Sequence, residues 1–202
     1  MNNIGILASG RGTDMQAMID AIKSKKLNAN ISVVISHNKN SYALERARLN
    51  NIKAVFIEKS GKSRESYDIE ISEIIDKNAA GLILLLGYMK ILSSWFVNKY
   101  KNRVMNVHPS LLPAYAGGMD LNVHRAVLER GCKYSGATLL FIDDGADTGP
   151  IIMQQAVKIS DDETEFSLKG KVQKAEQELL LKAIPLYFEG KIKVENNKVR
   201  VK

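Results

Sequence analysis

The chain has 202 residues, 45% of them apolar and 25% charged, with a formal net charge of +7, which fits one soluble globular domain with a sizeable core. Apart from small clusters at 23–26 and 191–202 the basic residues are scattered, so the surplus favours solubility and anionic small molecules over nucleic acid. One cysteine, Cys132, excludes an internal disulfide, no leader pattern opens the chain, and the longest apolar run, 79–88, is too short for a bilayer, so no membrane partner and a cytoplasmic location are expected.

In chain order, residues 4–8 read as a strand, 9–13 as a glycine-rich turn, and 14–25 as a helix with Met15, Met18, Ile19 and Ile22 at helical spacing. A β-branched strand at 31–36, a helix at 42–50 and a strand at 54–57 follow. The next helix, 63–78, places Tyr67, Ile71, Ile74 and Ile75 on one face. Residues 82–86 are continuously apolar, as in a parallel strand covered on both sides. A short helix at 92–100 and a strand at 104–107 complete a βα alternation. That alternation predicts an α/β fold: a doubly wound, mostly parallel sheet of Rossmann type with helices on both faces. Beyond it come a helix at 121–130 stopped by Gly131, strands at 135–142 and 151–159, a long helix at 162–186, and a small antiparallel hairpin, 191–194 and 198–201, around Asn196-Asn197. No linker divides residues 1–202, so a single domain is expected.

The sequence Asn106-Val107-His108-Pro109-Ser110-Leu111-Leu112-Pro113 leaves a strand and enters a loop that two prolines keep from becoming helix. Two residues apart on a strand end, Asn106 and His108 leave the same face. The carboxyl ends of strands are where open α/β sheets keep their ligand crevices. An amide beside an imidazole suits a reaction that develops negative charge on a carbonyl oxygen. A hydrogen-bonded loop histidine is the plainer alternative. Between the two later strands, Asp143-Asp144-Gly145-Ala146-Asp147-Thr148-Gly149-Pro150 is either an acidic solvated turn or a carboxylate source that orients the imidazole and favours its protonated form.

The turn Ser9-Gly10-Arg11-Gly12-Thr13-Asp14 lies between strand and helix, where glycines let a backbone approach a phosphate. It lacks the dinucleotide fingerprint, since position 15 is Met, and it lacks the Walker pattern. A single phosphate monoester fits it better; an ordinary turn capped by Thr13 or Asp14 fits it too. Gly87-Tyr88-Met89-Lys90-Ile91-Leu92 follows the apolar strand and either walls a flat ligand or simply connects to the next helix. The histidines His37, His108 and His124 have no ligand-like spacing, so no metal is expected. Cys132 has no base near it in sequence and reads as structural, and His124 reads as packing at a helix start.

Together these motifs resemble the folate-dependent formyltransferases, over residues 4–190. The resemblance rests on Ser9-Gly10-Arg11-Gly12-Thr13, Ser63-Arg64-Glu65, Gly87-Tyr88-Met89-Lys90-Ile91-Leu92-Ser93, the Asn106 to Pro113 motif, and Asp147-Thr148-Gly149-Pro150. It implies a formyltransferase-like fold and formyl transfer from 10-formyltetrahydrofolate, as cosubstrate, to the amine of glycinamide ribonucleotide in purine synthesis. By the same resemblance Asn106, His108 and Asp147 match the catalytic trio, and Gly12, Thr13 and Asp14 match the turn that holds the ribonucleotide phosphate. Gln173 and Glu176 match the region that meets the glycinamide end. Arg64, Met89, Lys90, Ile91, Leu92, Asn106, Asp143 and Asp144 match positions that contact the folate. Departures from the commoner pattern are Arg11 for Asn or Lys, Thr13-Asp14 for Ser-Asn, and Lys90 for Arg, which keeps the charge and loses the bidentate fork. The segment 116–124 is longer than in some relatives. The implied partners are small molecules, the chain being a monomer or homodimer. A transfer-RNA formyltransferase would need a further tRNA-binding domain, and a formylfolate hydrolase usually carries a regulatory domain. A non-catalytic folate- or phosphate-binding module is the alternative of another class.

Overall fold

A computed structural model gives the structure, describing residues 1–118 and 121–202. Met119 and Asp120, within the segment 116–124 singled out above, lie outside the described residues. The chain forms two compact units, Met1–Asn106 and Val107–Lys202.

The first unit holds β1 (Asn3–Ala8), α1 (Thr13–Lys23), β2 (Asn30–Ser36), α2 (Tyr42–Leu49), β3 (Ala54–Phe56), α3 (Arg64–Lys77), β4 (Leu82–Leu86) and α4 (Ser94–Lys99). β5 (Val104–His108) carries the chain into the second unit, which contains α5 (Leu121–Glu129), β6 (Tyr134–Phe141), β7 (Ile151–Lys158), α6 (Glu165–Phe188), β8 (Ile192–Glu195) and β9 (Lys198–Val201). The sheet order is β3-β2-β1-β4-β5-β6-β7, with parallel pairings among the first five strands and β6 antiparallel to β7. β8 and β9 form a separate two-stranded sheet. The mostly parallel sheet and the small antiparallel addition match the expected fold class.

Every residue of β4 is buried, as are five of six in β1. Strands sealed on both faces explain why 82–86 reads as an unbroken apolar run. α3 supplies Tyr67, Ile71 and Ile75 to that core, as its periodicity predicts. Ile74 of the same predicted face is only half-buried.

Boundaries shift by a few residues for identifiable reasons. The short helix begins at Ser94 rather than Leu92, because the Ser93 hydroxyl caps it by accepting from the Phe96 N–H and the Ser93 N–H donates to Asp68 Oδ2 at 2.5 Å. The long helix begins at Glu165 rather than at 162, since Thr164 forms a reciprocal capping box with Ser167. β5 runs one residue further than the apolar pattern suggests and takes in His108. The hairpin turn forms as expected, with Asn196 and Asn197 both at positive φ.

Candidate active site

β5 ends in His108, and Asn106 stands two residues before it on the same strand. Asn106 is half-buried and His108 is 3% exposed. His108 Nδ1 lies 3.3 Å from Asp147 Oδ2, and Nε2 lies 3.1 Å from the Tyr115 carbonyl oxygen. The carboxylate of Asp147 thus reaches the imidazole, which the sequence left open.

Asp147 sits at φ 57°, a left-handed conformation that Asp tolerates better than most residues. Its Oδ2 also accepts from the Gly117 N–H at 2.9 Å. The rest of the acidic loop folds on itself, with Asp143 Oδ1 accepting from the Gly145 N–H at 3.0 Å and from the Thr148 hydroxyl at 2.7 Å. Gly149 closes the loop against β6: a Cβ there would lie 1.9 Å from the Phe141 carbonyl oxygen, so no other residue fits. Asp144 is exposed and Asp143 half-buried.

Burial pushes the His108 imidazole below its ordinary pKa, while the Asp147 charge and the Tyr115 carbonyl push it back up. The expectation that Asp147 raises this pKa holds for the pair alone; the desolvation of a nearly sealed ring outweighs it. Either neutral tautomer leaves one ring nitrogen lone pair facing an acceptor, and only the imidazolium donates to both Asp147 and Tyr115.

The loop after His108 is strapped down by Thr138 and Gln154, which no motif flagged, and by Ser110 of the Asn106 to Pro113 motif. The Thr138 hydroxyl donates to the Ser110 carbonyl at 2.7 Å and accepts from the Leu112 N–H at 3.0 Å. Gln154 Nε2 donates to the Leu112 carbonyl at 3.0 Å and to Thr138 Oγ1 at 2.9 Å, and the Ser110 hydroxyl donates to the Ala114 carbonyl at 2.5 Å. The Leu112–Pro113 peptide is cis. A lone hydroxyl in the otherwise apolar run 137–141 was the available signal for Thr138. Tyr115 acts through its backbone carbonyl, so its residue type carries no signal. Its hydroxyl lies 3.4 Å from Cys132 Sγ.

Gly12 is the N-cap of α1, at φ 67°, and a Cβ there would lie 2.9 Å from Ala43 Cβ. Both a left-handed backbone and close packing therefore demand glycine. The carbonyls of this turn are engaged by α2 and its approach. Gly10 O accepts from the Ala43 N–H and the Ser41 hydroxyl, both at 3.1 Å, and Arg11 O accepts from Arg46 Nε at 2.9 Å. Thr13 and Asp14 follow as the first residues of α1, both half-buried.

Arg64 opens α3 and is exposed. Met89 is 46% and Ile91 65% exposed, and Lys90 is exposed, whereas Leu92 is buried, so the first three form the outer face of their loop. Gln173 and Glu176 lie one turn apart on α6, Glu176 buried and Gln173 half-buried. His124 is buried in α5, where packing was expected. Among the described residues no cluster of three or more His, Cys, Asp or Glu could hold a metal ion, and no helix is long and apolar enough to cross a membrane.

A family model described as formyl transferase matches residues 2–184. The chain belongs to the formyl transferase family. This formyltransferase is 37% identical over 196 residues to the phosphoribosylglycinamide formyltransferase of Escherichia coli (strain K12), covering 96% of this chain and 91% of that protein. It is 39% identical over 190 residues to the trifunctional purine biosynthetic protein adenosine-3 of Drosophila melanogaster, covering 93% of this chain and 14% of that much longer protein. Among solved structures, glycinamide ribonucleotide transformylase 1 from Symbiobacterium toebii superposes with a TM-score of 0.93 at 35% identity, covering 100% of this formyltransferase and 94% of that chain. A formyltetrahydrofolate deformylase from Pseudomonas syringae shares the fold, with a TM-score of 0.89 at 24% identity and coverage of 99% of this chain and 65% of that one.

Proposed function

We propose that this formyltransferase transfers the formyl group of 10-formyltetrahydrofolate to the primary amine of glycinamide ribonucleotide. The products are formylglycinamide ribonucleotide and tetrahydrofolate. The observation that carries the reading is the buried His108 at the end of β5 with Asp147 on its Nδ1, in a chain of the formyl transferase family. The relatives named for glycinamide ribonucleotide supply the acceptor.

The amine attacks the formyl carbon directly, forming a C–N bond and an oxyanion. Collapse breaks the bond from that carbon to folate N10, and the proton lost by the amine ends on N10. His108 in its acid form donates from Nε2 to the oxyanion, the formyl oxygen replacing the Tyr115 carbonyl as acceptor. Asn106 donates its side-chain amide to the same oxygen. Asp147 holds the ring by Nδ1 and stabilises its positive charge. Gly12, Thr13 and Asp14 hold the ribonucleotide phosphate, and Gln173 and Glu176 meet its glycinamide end. Arg64, Met89, Lys90, Ile91, Leu92, Asp143 and Asp144 contact the folate. The chain acts as one catalytic domain on small molecules, as a monomer or homodimer in the cytoplasm, and the reaction as written uses no metal.

The test is an assay of folate deformylation with and without glycinamide ribonucleotide. Turnover that depends on the amine is expected. Turnover without it would make the protein a hydrolase, and none under either condition would make it a binding module.

A further inference from the structure

β1 ends at Ala8, and Ser9, 8% exposed, makes four bonds. Its N–H donates to the Gly87 carbonyl at 3.2 Å, and its carbonyl accepts from the Asn38 side-chain amide at 3.4 Å. Its hydroxyl accepts from the Met89 N–H at 3.2 Å and lies 3.1 Å from His37 Nδ1. One residue therefore joins the carboxyl ends of β1, β2 and β4, all within the first unit.

The hydroxyl has a single proton, and the Met89 N–H already donates to its oxygen. A neutral His37 can take that proton on Nδ1 with its ring hydrogen on Nε2, or donate from Nδ1 to the second lone pair of the hydroxyl; either tautomer keeps the Ser9–His37 bond. Burial, and then the charges of Lys90 and Lys59, push the His37 imidazole below its ordinary pKa, which favours the neutral ring. The His37 ring also meets the Tyr88 ring edge-on, with centroids 5.6 Å apart and planes at 79°. The imidazole thus grips residues 87–92 twice, once through Ser9 to Met89 and once directly at Tyr88.

We propose that Ser9 and His37 are positioning residues that lock the loop 87–92 to the end of β1, and so to the glycine-rich turn that follows it. The proposal rests on the reading above for what each loop binds: formylfolate at Met89, Lys90 and Ile91, and the ribonucleotide phosphate at Gly12. Ser9 and His37 act through the Met89 amide and the Tyr88 ring. The lock places the outward face of the folate loop before either ligand arrives, which lowers the ordering cost of binding.

Hydrogen exchange at the Met89 amide tests it on the full chain, together with KM and kcat for both substrates. Ser9→Ala and His37→Leu should each speed Met89 exchange and raise KM for 10-formyltetrahydrofolate by about three- to tenfold, the worth of one neutral hydrogen bond. The value of kcat should stay within about twofold, since no group on the formyl oxygen is removed. His37→Asn keeps a polar group for the Ser9 hydroxyl but loses the ring against Tyr88, so it should recover part of both quantities. Unchanged Met89 exchange in Ser9→Ala, or a His37→Asn variant no better than His37→Leu, would overturn the proposal. If the wild-type chain formylates nothing, the functional reading fails by itself, and the exchange measurements still decide the lock.

Discussion

Asp147→Asn isolates what the carboxylate charge does for His108. Asn is close to isosteric, can present one oxygen to both the Nδ1–H and the Gly117 N–H, and tolerates φ 57° at least as well as Asp, so shape and backbone are kept. At 3.3 Å the charge interaction has a ceiling of about 5 kcal/mol at an effective dielectric constant of ~20. Asp147 is 15% exposed and solvent screens it, so the loss expected is that of a charge-assisted hydrogen bond, about 1.5–3 kcal/mol, or ~10- to 150-fold in kcat at neutral pH. The pH profile carries the sign. In the proposed mechanism His108 acts as an acid, so turnover should fall as pH rises through its pKa, which burial already holds below the ordinary value. Removing the Asp147 charge withdraws one of the two upward pushes, so the falling limb moves to lower pH. The assay is kcat for glycinamide ribonucleotide formylation against pH, for wild type and variant. A variant that lost activity evenly at all pH values, with its falling limb unmoved, would refute the assignment of Asp147 as the charge partner of an acid.

Four further substitutions probe other links. His108→Ala and Asn106→Ala should each lower kcat by about 10²–10³ with the fold intact by circular dichroism, and near-normal transfer by either variant would remove it from the oxyanion site. Thr138→Val keeps the volume but strands the Leu112 N–H and withdraws a donor from the Ser110 carbonyl, so urea unfolding should show about 1–3 kcal/mol less stability. Gly12→Ala forces a left-handed Ala and a methyl 2.9 Å from Ala43; it should cost about 1–2 kcal/mol in thermal unfolding and raise KM for the ribonucleotide more than KM for the folate.

The first unit was legible because its strands are sealed on both faces and its helices on one. The unbroken apolar run of β4 and the spacing of Tyr67, Ile71 and Ile75 on α3 are direct prints of that burial. Helix starts were less legible, because more than one polar residue near each start can cap it: Ser93 caps α4 through the Phe96 N–H, and Thr164 rather than a nearby Asp caps α6. His108 was found because a titratable ring at a strand end is rare enough to notice. Its meeting with Asp147, which the resemblance implied, was not readable from the residues alone, since the loop 143–150 looks like any acidic turn until Gly149 presses against Phe141 and Asp147 adopts its left-handed backbone.

The residues that were missed, or quoted in a motif without a role of their own, share a physical character. Thr138, Gln154 and Ser9 are uncharged side chains whose work is to satisfy backbone groups of loops, and Tyr115 contributes a backbone oxygen. A catalytic ring or a charged pair announces itself by residue type, whereas a strap needs only one donor or acceptor of suitable length, which many residue types supply. The strap can still decide the chemistry. The Thr138 hydroxyl and Gln154 fix Leu112, Ser110 fixes Ala114, and the next residue presents its carbonyl to His108 Nε2. With Asp147 on the opposite nitrogen, the ring is held between two acceptors, which favour its protonated form against the burial that disfavours it. The proposed acid is then oriented by loop geometry as much as by the carboxylate beside it.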